Sequence, residues 1–353
     1  MNAPDDWTVV KPKGPRKFSG EIIGLRKKSG IALVSIAKRV PHHLVPWLSQ
    51  LSEATRRLLS SEELLPPNRM HLYEFLSCVA TAVDDPIARA RFVADVLADA
   101  LDLLDSPEVK QTISSVEAFL TALGIMGART DPSIVTNPAS VARVTNLFVN
   151  LFSAFNQLLS VGKRCHEAAK KRPNGGLPMQ SMPNLQGDNL NFPDEGPIDL
   201  SQLAMNDPFI PLWPRILPSL LQVIDVALKV WHPSIQAALL PDSIQRYAFA
   251  ISDDEAYMAK VQENKKSGGV FGEGGTAGSV VKGTDRRDEN LVPRWSGWLN
   301  ELRNTCFQLL GLIAGQRALY APEISSLYPK IVSIVVNQEH LRAMEHRHLI
   351  QLM

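Results

Sequence analysis

Cysteine, net charge and long apolar runs are all scarce in this sequence, and each shortage removes a class of protein. The three cysteines, Cys78, Cys165 and Cys306, lie far apart and form no CxxC pair. They read as reduced thiols of the nucleus or cytosol, not as a disulfide framework. Formal net charge is only +1, so the chain as a whole does not advertise for a polyanion. No apolar run reaches ~18 residues and the N-terminus lacks a signal-type apolar core, which predicts a soluble intracellular protein with no membrane partner. No serine sits in a GxSxG elbow, and no His, Asp and Cys trio has a nucleophile's spacing. No catalytic residue is nominated, and the chain reads as a non-enzyme.

Two features that could carry chemistry fail on context. Gly272, Gly274 and Ala277 satisfy a loose GxGxxA pattern, with Lys282 beyond them. A dinucleotide fingerprint needs a strand before it and a helix directly after it, and a phosphate loop needs Gly-Lys-Ser/Thr. Here a polar helix end, Lys260 to Lys266, precedes the run and the Gly-Lys pair is missing. The run is expected to be a flexible connector, and no cofactor is expected. His340, His346 and His348 cluster near the C-terminus, but His346 and His348 stand two apart and point to different helix faces. No Cys or Asp completes a tetrahedral set, so no metal site is expected.

What the sequence does have is amphipathic helix. Leu72, Phe75, Leu76, Val79 and Val83 share one face, and Phe92, Val93, Val96, Leu97, Ala100, Leu101 and Leu104 form a broad stripe. Both sets recur at three and four residues, the period of a helix with one buried side. The segments pair as 28–40 with 44–60, 68–83 with 86–104, 107–125 with 138–164, 209–231 with 241–262, and 294–316 with 321–350. The first three pairs advance by about 40 residues, in the HEAT/armadillo range. An amphipathic hairpin cannot bury its apolar face alone, so neighbours must stack. The expected fold is all-α, an α-solenoid of HEAT-like helical hairpin repeats; a compact helical bundle is the runner-up. The expected division is a disordered basic N-terminus over 1–25, repeats over 26–170, a flexible insertion over 171–207, and repeats over 208–353 interrupted by the Gly-rich loop 264–293.

Charge is uneven along the chain. Lys11 to Arg39 holds nine Lys/Arg against Glu21 alone, and Lys163, Arg164, Lys170, Lys171 and Arg172 have only Glu167 among them. Basic residues at a helix C-terminus can simply answer the helix dipole. The alternative is an edge that neutralises phosphates without reading bases. Aromatic interleaving is absent around this run, so such an edge would suit duplex or folded RNA over splayed bases.

Four colinear stretches carry a family likeness: GLRKKSGIALVSIAKRVPHHLVPWLSQLSEATRRLLSSEELL (24–65), TISSVEAFLTALG (112–124), SGGVFGEGG (267–275) and ALYAPEISSLYPKIV (318–332). In them the chain resembles a central portion of the exportin-5/Hasty family of importin-β-type karyopherins. The competing likeness is to another karyopherin exporting protein cargo, and the other alternative is a HEAT-repeat scaffold that binds only proteins. The resemblance implies a HEAT superhelix that takes RanGTP and cargo together in the nucleus and releases both in the cytoplasm, the GTP belonging to Ran. It implies structured double-stranded RNA with a short 3′ overhang, of the precursor-microRNA hairpin type, as cargo, and protein cargo besides. Arg129 and Thr130 fall in the loop that the family places near the RNA overhang, and Arg143 opens the following helix in a matching place. Lys163 and Arg164 join them as contact candidates on charge alone. A complete receptor of this kind is several times longer, with most of its Ran contact in repeats that have no counterpart here. The chain is therefore expected to be a fragment.

Overall fold

Helix starts are written plainly in the sequence. Asp85-Pro86, Ser106-Pro107 and Asn137-Pro138 each put a capping side chain directly before a proline at the first helical position. Asp85 accepts from the Ile87 amide, Ser106 from Val109, and Asn137 from Ala139 and Ser140. Each cap satisfies amides that the first turn leaves without an intrahelical acceptor, and proline costs nothing where no amide hydrogen bond is needed.

The computed structural model describes residues 20–60, 64, 66–172, 205–230, 232–239, 291–316 and 318–335. The helix expected over 241–262, the Gly-rich run with Gly272, Gly274 and Ala277, and the C-terminal histidines lie outside the described residues. In order come α1 (Gly20–Arg39), α2 (Pro41–Leu44), α3 (Leu48–Leu59), α4 (Pro66–Ala80), α5 (Pro86–Val96), α6 (Ala98–Asp105), α7 (Pro107–Thr112), α8 (Val116–Ala122), α9 (Ile125–Thr130) and α10 (Pro138–Lys170). After the insertion follow α11 (Trp213–Val230), α12 (Pro233–Leu239), α13 (Val292–Gly315), α14 (Pro322–Ser325) and α15 (Tyr328–Val335). Among the described residues there is no strand, and the fold is an all-α helical solenoid.

Three expected helices differ in detail. α1 starts at Gly20, inside the stretch expected to be a disordered tail, because Arg26 and Gly30 continue the inward face of Val34 and Ala37 upstream at four-residue spacing. The helix expected over 86–104 breaks at Leu97 into α5 and α6, and the Val96 carbonyl at the break accepts from Gln157 Nε2 of α10 at 3.0 Å. The helix expected over 107–125 is three short ones. Gly124, with φ of 77°, closes α8 in the left-handed region that only glycine adopts without strain.

Helices stack in a row: α1 packs on α4, α4 on α10, and α10 on α13. A second layer lies alongside, with α6 against α10 and α11, and α11 against α8, α13 and α15. Two crossings in the row are glycine contacts. A methyl group on Gly30 would stand 2.6 Å from the His71 ring of α4, and one on Gly162 would stand 2.6 Å from Leu312 of α13. The main core runs from Ala80 to Ile334 and is densest along α10, where Phe148 stacks on Trp298 of α13 with ring centroids 4.7 Å apart. By length and composition α10 could cross a membrane, but 61% of its most apolar window is buried by its neighbours, which marks it as a core helix. A separate, smaller core joins Val34 and Ala37 of α1 to Phe75, Leu76, Cys78 and Val79 of α4.

Candidate functional site

α10 carries or borders all five candidate contact residues, and its length decides what they can do together. From Arg143 to Lys163 is twenty residues of unbroken helix, about 30 Å at 1.5 Å per residue. The candidates therefore form two groups at opposite ends, not one patch.

At the N-terminal end, α9 ends at Thr130, a 3-10 turn spans Pro132–Val135, and α10 begins at Pro138. Asp131 caps the turn through its contact with the Ser133 amide, and that hydrogen bonding, by side chain and backbone alike, holds its carboxyl below the usual aspartate range. Thr130 is exposed, and its hydroxyl donates to the Gly127 carbonyl at 3.1 Å. Arg143 is exposed on the second turn of α10. Arg129 belongs to the last turn of α9; its side chain lies outside the described residues.

At the C-terminal end the charges point inward. Lys163 is half-buried and its ammonium donates to Gln308 Oε1 of α13 at 2.8 Å; burial, and then the adjacent Arg164, pull its pKa down. Arg164 lies 3.3 Å from Glu74 Oε2 of α4 and 2.9 Å from Glu167 Oε2. Burial opposes the guanidinium charge, but Glu74 and Glu167 outweigh it and raise the pKa above the ordinary value. The exposed phosphate-contacting edge expected from charge thus does not describe these two residues, which tie α10 to its neighbours on both sides. Arg172 is used the same way, donating to the Asn206 carbonyl at 2.8 Å and to the Thr81 carbonyl. Lys170 and Lys171 are the exposed members of the run.

Beside Arg172 lies a polar cluster that sequence reasoning missed. Arg89 is 3% exposed and donates to the carbonyls of Val83 and Met205. Burial first, then the nearby Arg172, lower its pKa. Asp207 accepts from the Phe209 amide and, at 2.7 Å, from Nε2 of Gln316, the residue that follows α13; Gln316 Oε1 in turn accepts from Trp213 Nε1 of α11 at 2.6 Å. His166 Nδ1 stands 3.5 Å from the same carboxylate. This cluster fastens the returning chain at Met205–Asp207 to α5, α10 and α13. Only the Asn-Asp-Pro signature at 206–208 hints at it, as a turn capped by an aspartate side chain.

Among the described residues, the candidate side chains offer hydrogen bonding and charge. Burial raises the thiol pKa of Cys78 to about 11, and raises Cys165 and Cys306 as well; such thiols stay protonated and poorly nucleophilic. Among the described residues no group of His, Cys, Asp and Glu is placed to hold a metal ion.

Comparison with known proteins gives one result that spans the molecule: the model of the Exportin-5 family matches residues 8–353. No curated protein matches the chain.

Proposed function

The chain belongs to the Exportin-5 family of nuclear export receptors, and from that premise we propose that it is a cargo-binding segment for structured RNA. In this reading it holds hairpin RNA with a short 3′ overhang, together with RanGTP, for passage from nucleus to cytoplasm. It does so by shape and charge, with no catalysis and no cofactor of its own, the GTP being Ran's. The family match over nearly the whole chain, on an all-α solenoid, is the observation that carries the proposal.

Contact with the phosphate backbone falls to the exposed side chains at the two ends of α10. Thr130 and Arg143 serve one end, with Arg129 beside them in sequence, and Lys170 and Lys171 the other. Lys163 and Arg164 contribute indirectly, by holding α10 in place. Duplex RNA is read mainly through its backbone and 2′-hydroxyls, which suits separated basic points better than one dense patch.

Electrophoretic mobility shift on the intact chain, with and without GTP-locked Ran, tests the reading. Hairpin RNA should bind with an affinity that falls steeply with salt, in proportion to the phosphates neutralised. Arg143→Glu should weaken binding by about ten-fold, roughly 1.4 kcal/mol, without altering the circular dichroism. RNA binding that is absent at low salt, in the presence of Ran as in its absence, would overturn the RNA reading and leave protein cargo.

A further inference from the structure

α13 enters the stack beside the short elements that carry Arg129 and Thr130, and two hydrogen bonds from its start hold both ends of that stretch. Trp295 is 2% exposed, and its Nε1 donates to the Leu123 carbonyl, at the end of α8, at 3.0 Å. The Leu291 amide donates to the Val135 carbonyl, at the end of the 3-10 turn, at 3.0 Å. Between those two carbonyls lie α9, Asp131 and the 3-10 turn. Packing gathers at the same place. A methyl group on Gly124 would stand 3.5 Å from Ile134 of the turn, 3.5 Å from Val144 of α10 and 3.9 Å from Leu291. The ends of α8 and of the turn thus meet α10 and α13 around one glycine.

Elements of one or two turns do not hold their own shape in water, so the direction of α9 is decided by what it docks against. α9 has six residues and the 3-10 turn four. Arg143, by contrast, stands on the 33-residue α10. The spacing between Arg143 and the last turn of α9 is therefore set by the clasp from α13. A helix end leaves its last carbonyls without intrahelical donors, and a buried indole N–H needs an acceptor. Leu123 and Trp295 answer both needs at once. We propose, on the RNA reading above, that Trp295 and Leu291 are positioning residues for RNA contact. They act through the loop and not on the nucleotide, fixing Arg129 and Thr130 at the distance from Arg143 that a duplex backbone requires. Phosphate contacts set register and orientation on a duplex, and a contact loop already held in place costs less to order on binding.

The test uses the full chain and hairpin RNA with a short 3′ overhang, titrated by mobility shift over a range of salt. Trp295→Phe keeps a ring in the core and removes the donor N–H. Affinity should fall about five-fold, the strength of one hydrogen bond, and the slope of log affinity against log salt should flatten by about one. Leu291→Pro deletes the other donor at a φ of −72°, which proline accepts, and should act in the same direction. Loss of a merely structural bond would leave the salt slope alone, because the number of phosphates neutralised would not change. In the Arg129→Ala, Thr130→Ala background neither variant should weaken binding further, since the residues acted through are gone. Amide exchange should quicken over 125–135 in both variants while the centre of α10 stays protected. Faster exchange there with affinity and salt slope unchanged would overturn the proposal, and so would a loss that persists in full in the double-alanine background. A wild-type chain that binds no hairpin at low salt, with Ran or without, would instead remove the RNA reading itself and the positioning role with it.

Discussion

α10 and α1 belong to the same row of stacked helices, yet they live under opposite conditions. α10 is enclosed by α4, α6 and α13, and Phe148, Phe152, Phe155 and Leu158 along it are all nearly inaccessible to water. α1 rests on α4 and leaves Leu25 and Ile36 in solvent. In a stack where each member leans mainly on its neighbours, stability is a sum of local interfaces. The centre and the first helix should therefore answer differently to the same chemical insult. Polar contacts follow the same gradient: Lys163 and Arg164 reach across to α13 and α4 from α10, whereas Lys28 and Arg39 of α1 face water.

The largest effect should come from the centre. Phe155→Ala empties a fully buried position on α10 and should lower unfolding free energy by about 3–5 kcal/mol, measured by urea denaturation followed by circular dichroism. Next comes the Glu74–Arg164 contact, whose side chains are 13% and 15% exposed. Glu74→Ala leaves a half-buried guanidinium with one carboxylate fewer and should cost about 2 kcal/mol. The Glu74→Leu, Arg164→Met pair should cost much less than the sum of its single changes, because both charges go together. At the first helix, Val34→Ala should cost about 1.5 kcal/mol and act locally. Amide exchange should quicken in α1 while α10 stays protected.

The smallest effect separates the two regions by pH. His71 packs against Gly30 at the α1–α4 crossing, and its pKa is lowered, by burial first and by Lys27 as well, against an opposing pull from Glu74. The unfolded chain then binds this proton more readily than the folded one, so stability falls as pH drops through the ordinary histidine range near 6.5. Between pH 7.5 and 5.5 the first urea transition should move to lower concentration, and His71→Leu should abolish this histidine's share of the move. A shift unchanged in His71→Leu would assign the pH response to other groups.

The sequence made the local decisions legible. Asp85-Pro86, Ser106-Pro107 and Asn137-Pro138 announce helix starts because cap and proline act within one turn. The apolar periods of α4 and α10 point to the stack, and four colinear stretches point to the family. What could not be read was settled at a distance. Phe92 to Leu104 keeps a helical period straight through Leu97, and the break there is matched by Gln157, 61 residues from the Val96 carbonyl it binds. Lys163 and Arg164 read as a surface edge because Gln308 and Glu74, their partners, lie 145 and 90 residues away. Arg129, Thr130 and Arg143 enter through the family resemblance and Lys163 and Arg164 through charge alone, and the helix expected over 138–164 already sets the two groups apart.

The hydrogen bond from Arg172 to the Asn206 carbonyl has a consequence for local opening. It holds together the two points where the chain leaves α10 and returns to the stack, 34 residues apart in sequence. The end of α10 and the turn that leads into α11 should therefore open together, as one local unit.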